Sequence, residues 1–70
     1  MRFTHFTLKQ DGAFIGSSTV LQQAVSEARQ HAVDTGKPVT VMAHIDGGGT
    51  KEAIFHPNGT NDKIWNIDKG

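Results

Sequence analysis

Three of the four histidines, His5, His44 and His56, fall in stretches that alternate apolar and polar residues, where imidazoles projecting from neighbouring strands can share a zinc or nickel ion. If the strand holding His44 pairs with the one holding His56, their side-chain origins lie about 7–8 Å apart, and Glu52 supplies a further donor. Against this, the chain has no HExxH spacing and no cysteine. The expectation is a chain with no metal and no cofactor, in which His5, His44 and His56 are the residues to examine.

Other arrangements that could do chemistry are thinner. Asp46-Gly47-Gly48-Gly49-Thr50-Lys51 has the glycines of a phosphate-cradling loop, but that loop needs GxxxxGK[ST] leading into a helix. Here the glycines separate two strand-like runs, which reads as a hairpin whose turn needs positive φ. Ser17, His31 and Asp34 supply the residue types of a hydrolase triad, yet the last two sit on a helix face that reads as solvent-exposed. No GxSxG turn and no cysteine nucleophile is present, so no catalytic residue is expected and the chain is not read as an enzyme.

Whatever positions these residues is small. Seventy residues fit one domain spanning positions 1–70, and 36% hydrophobic content with no possible disulfide makes a thin core. A thin core favours self-association, so a homodimer or an unidentified protein partner is expected. Arg2, Lys9 and Arg29 offset Asp11, Glu27 and Asp34 in the first half, and the second half balances likewise. A nucleic-acid binder draws its affinity from a basic stripe, and none is present, so nucleic acid is not an expected partner. No apolar run approaches a signal peptide or the roughly 20 residues of a membrane span, which points to the cytoplasm and away from membranes.

Periodicity supplies the scaffold. Leu21, Ala24, Val25, Ala28, Ala32 and Val33 recur at helical spacing and predict a helix over 19–35. Thr19 and Gln22 fit a capping box at its start, and Gly36 before Lys37-Pro38 marks its end. Small residues on that face suit a helix lying close on a sheet. Strands are predicted over 3–9, 13–17, 39–46, 52–56 and 64–67, with turns at Gln10-Asp11-Gly12, Asp46–Thr50 and Pro57–Thr60.

The resulting order, ββαβββ, is an α+β fold with a single helix packed on one face of a mainly antiparallel sheet. The simplest strand order is 2-1-3-4-5, although placing the third strand beside the second, or exchanging the first hairpin between two chains, satisfies the same pattern.

Parity then divides the side chains. Pairing Ala43 with Phe55 and Ile45 with Ala53 keeps Val39, Val41, Ala43 and Ile45 under the helix, joined by Phe6, Leu8, Ala13, Ile15, Trp65 and Ile67. The other face would carry Phe3, His5, Met42, His44, Glu52, Ile54, His56 and Ile64. One helix cannot cover both faces, so Phe3, Met42, His44, Ile54, His56 and Ile64 form the expected interaction face. Lys51, Lys63 and Lys69 near the later strands would discourage unwanted edge pairing.

The stretch from Thr19 to Gly47 resembles a family of small bacterial domains of unknown function, number 2188. The matching features are Ala24, Ala28 and Ala32 on the helix, Gly36, Val39, Val41 and the Asp46-Gly47 turn. The resemblance covers under half of the chain and implies a fold without an activity; the C-terminal hairpin departs from the family pattern. The leading expectation is a small protein-interaction module acting through the open sheet face or an edge strand. Two other readings are a phage or plasmid accessory protein that inhibits a host defence system, and a metal or small-ligand binder using the strand histidines.

Overall fold

A computed structural model of the chain describes residues 2–62. In chain order it contains β1 (Phe3–Gln10), β2 (Ala13–Ser18), α1 (Leu21–Thr35), β3 (Val39–Ile45), β4 (Thr50–Phe55) and β5 (Asn61–Asp62). The strands form one five-stranded antiparallel sheet in the order β2-β1-β3-β4-β5, with the helix between β2 and β3 in sequence. This is the expected α+β architecture, in the simplest of the strand orders that the alternating runs allow. The expected strand over Ile64–Ile67, and with it Trp65 and the open-face position Ile64, lies outside the described residues. Among the described residues no helix is long and apolar enough to cross a membrane.

The helix packs through a stripe of alanines at i, i+4 and i+8. Ala24, Ala28 and Ala32 are fully buried, with Leu21 and Val25 packed at the margin. A methyl group is the shortest apolar side chain, so this stripe lets the helix backbone lie close over β1 and β3. Val33, expected on the same face, is 62% exposed. Nine residues beyond Ala24, at about 100° per residue, it stands on the far side of the helix.

The helix ends as expected, with Gly36 in the left-handed region (φ 71°) donating its N–H to the Ala32 carbonyl. Its start is different. The N-cap is Val20, whose side chain cannot cap, and the expected Thr19–Gln22 box does not form. Ser18 Oγ instead accepts the Val20 N–H at 3.1 Å, tightening the chain just before the first turn.

Under the helix the sheet contributes Phe6, Leu8, Val39, Val41, Ala43, Ala53 and Phe55, each at most 3% exposed. Phe55, Leu8, Val39 and Val41 are the largest fully buried side chains. The guanidinium of Arg29 lies 5.3 Å from the Phe55 ring centroid and closes the core on that side as a cation–π contact.

Three details of register depart from the expected pairing. Between β3 and β4, Phe55 pairs with Val39 and Ala53 with Val41, rather than with Ala43 and Ile45. Gly47, Gly48 and Gly49 all take positive φ, and Ile45 N–H donates to Gly49 O at 3.1 Å. The hairpin therefore closes at once, bringing Thr50 opposite His44 and sliding β4 by an even number of residues. An even slide keeps every side chain on its expected face.

A bulge in β1 has the opposite effect. Phe3 pairs with Ile45 and His5 with His44, leaving Thr4 as an extra residue. Phe3, expected on the open face, is thereby turned under the helix, where it packs against the core with its ring 5.6 Å from Phe6. A second irregularity leaves Ile15 between Phe14, paired with Lys9, and Gly16, paired with Leu8. Ile15 reaches the core as expected, whereas Ala13 is exposed.

Candidate functional site

Among the described residues nothing covers the sheet face away from the helix, and the observed pairings place its side chains in three cross-strand rows. One runs Ser17, Thr7, Met42, Glu52; the next runs Phe14, Lys9, Thr40, Ile54, Asp62; the third holds His5, His44 and Thr50. Met42, His44 and Ile54 occupy this face as expected. Their alternation with buried Val41, Ala43, Ala53 and Phe55 fixes the direction in which each side chain points. Met42 and Ile54 are half-buried by neighbours in their own layer, and among the described residues no second layer lies over them.

The histidines divide differently from the expectation. His5 and His44 are direct cross-strand partners, their rings parallel within 5° and 4.2 Å apart between centroids. Thr4 Oγ1 lies 3.0 Å from His5 Nδ1, and Thr7 Oγ1 lies 3.1 Å from His44 Nε2, so a threonine hydroxyl fixes each ring. Imidazole lone pairs lie in the ring plane. Two stacked rings direct theirs along parallel planes, which do not meet at one ion.

His56 is not the diagonal neighbour of His44 that pairing Ala43 with Phe55 would make it. It follows Phe55 and Val39 at one end of the β3–β4 ladder, while His44 pairs with Thr50 at the other. Glu52 pairs with Met42, one step diagonal from His44, and faces solvent. Among the described residues no group of three or more His, Cys, Asp or Glu side chains is arranged to hold a metal ion.

His56 has a partner that sequence reasoning missed. Its Nε2 lies 2.6 Å from Asp62 Oδ2, with the side chains 30% and 65% exposed respectively. The intervening turn is closed by His56 N–H donating to Thr60 O and by Gly59 N–H donating to His56 O. Thr60 Oγ1 donates to Asn58 Oδ1 at 2.7 Å within the turn. This histidine–carboxylate contact secures β5 to β4.

The paper triad does not assemble. Ser17 belongs to the open face, opposite Thr7, while His31 and Asp34 are exposed on the helix beyond the sheet. Asp34 accepts a hydrogen bond from Gln30 at 2.8 Å.

A second missed residue is Phe14, 63% exposed on the open face at the sheet's rim. Alternation could have found it, since assigning Ile15 to the core sends its neighbour to the other side. β2, which carries it, pairs with β1 alone among the described strands and has neither a charged residue nor a proline from Ala13 to Ser18.

No protein-family model, curated protein or solved structure matches this chain.

Proposed function

We propose that this chain is a small, non-enzymatic, cytoplasmic protein-interaction module that binds through the open sheet face or an edge strand, as a homodimer or with another protein. The observation that carries the reading is the one-sided cover: a single helix over one face, with Met42, Ile54 and the exposed Phe14 on the other. Apolar side chains on an uncovered sheet gain about 25 cal/mol for each Å² of apolar surface removed from water, so a partner layer is favoured there. The uncharged β2 edge offers a second, directional mode through backbone groups that have no strand partner among the described residues.

The test compares variants rather than relying on capture alone. The wild-type chain, Met42→Lys/Ile54→Lys and Phe14→Asp would be immobilised in parallel and challenged with native lysate, with sedimentation of each reporting self-association. Binding lost in one variant locates the interface on the face or at the rim. Indistinguishable capture by all three chains, together with a strict monomer at high micromolar concentration, would refute the proposal.

A further inference from the structure

The β2 rim combines four features that together specify an occupant. First, its outward backbone groups have no strand partner among the described residues, and its pairing with β1 is regular over Gly16, Ser17 and Ser18. Second, Gly16 is outside the left-handed region, and a Cβ built there would meet only Glu27 Oε2, at 4.0 Å. The fold itself therefore does not demand glycine at this position, and its absent side chain leaves a notch on the helix side of the strand.

Third, the Glu27 carboxylate borders that notch and, among the described residues, makes no hydrogen bond or ion pair. Fourth, Phe14 stands on the opposite side of the same strand, 63% exposed.

From this we infer that β2 accepts an extended segment of another protein as a sixth strand, and that the segment alternates basic with apolar residues. The inference rests on the interaction-module reading and narrows it to one edge and one partner chemistry. Side chains of an added strand alternate between the two faces. A lysine or arginine on the helix side lays its aliphatic stem over Gly16 and brings its charge to Glu27; the adjacent residues, on the other side, pack against Phe14.

Charge favours this occupant over a second copy of the chain. Antiparallel pairing of β2 with its own copy places a two-fold axis perpendicular to the sheet, with both helices on the same side. When that axis passes near Gly16, it brings two Glu27 carboxylates towards each other, and like charges across a new strand pair are destabilising.

The experiment uses the full chain labelled for amide NMR, titrated to millimolar concentration with a short blocked peptide of alternating valine and lysine. A matched peptide with glutamate in place of lysine is the comparison. The lysine peptide is expected to shift and protect amides of residues 13–18 and to perturb Glu27, with the glutamate peptide binding about tenfold more weakly. Glu27→Lys should reverse that preference. Gly16→Val, whose Cβ meets no backbone atom, should fill the notch and abolish binding while leaving the rest of the spectrum unchanged.

Equal binding of the two peptides, or no perturbation of 13–18, overturns the inference. Shifts confined to Met42, Ile54 and their neighbours overturn it too, while leaving the interaction-module proposal standing on the open face. Concentration-dependent protection of 13–18 without peptide assigns the edge to a second copy and also overturns it.

Discussion

The two faces of this sheet are built by the same strands, often by adjacent residues, yet they are held in place by different means. On the helix side, order comes from volume: methyls from Ala24, Ala28 and Ala32 meet Leu8, Val39, Val41 and Phe55, all with essentially no exposure. On the other side none of the side chains is buried, and order comes from pairwise contacts such as the His5–His44 stack, the Thr7–His44 hydrogen bond and the His56–Asp62 contact. Stability therefore concentrates on one face and leaves the other available for change, because a side chain without a packed layer above it contributes little to folding.

Substitutions on the two faces should separate them. The largest effect is expected from Phe55→Ala, which leaves a cavity beneath Arg29 and should cost about 3–5 kcal/mol, read from the midpoint of denaturant unfolding. In a domain this small a loss of that size can amount to complete unfolding, so Val39→Ala serves as the milder companion on the same face. Next, Ala28→Leu should destabilise by about 1–3 kcal/mol, because the helix has no room to move away from β3 without opening the whole stripe. A neutral result would show that the helix rests loosely on the sheet.

Smaller again is Gly36→Ala, expected to cost about 1–2 kcal/mol through the left-handed backbone of the helix end, with no change in the packed face. The smallest effect is expected from Met42→Thr, within about 0.5 kcal/mol by the same unfolding measurement. A loss at Met42 comparable to that at Phe55 would mean that the open face is covered, and the contrast between the faces would disappear.

The architecture was readable because period-2 alternation and the alanine stripe are each repeated several times, so one irregular position does not hide them. Short connections and a helix long enough to cross make 2-1-3-4-5 the simplest strand order, but the third strand beside the second, or a first hairpin exchanged between chains, satisfies the same pattern. Register was harder. Nothing in Asp46-Gly47-Gly48-Gly49 specifies how tightly three glycines close a hairpin, and the slide of β4 separated His44 from His56 without altering either one's face.

Parity failed only where the strand gained a residue. Thr4 has no compositional mark of a bulge, so Phe3 was assigned by alternation to the side it does not occupy. Phe14 was accessible to the same reasoning that placed Ile15, whereas the His56–Asp62 contact depends on the return geometry of the turn between them. Glu27 and Gly16 become neighbours only once the helix is docked over β2.

The extra residue at Thr4 carries an evolutionary consequence. Losing it from a descendant gene would restore strict alternation while keeping Phe3 on the helix side, because Phe3 and His5 would then be adjacent residues on opposite faces. A lineage of this fold can thus lose or regain one residue at Thr4 without exchanging interior for exterior. A single gap at Thr4 would leave the aligned columns on either side of it in matching environments.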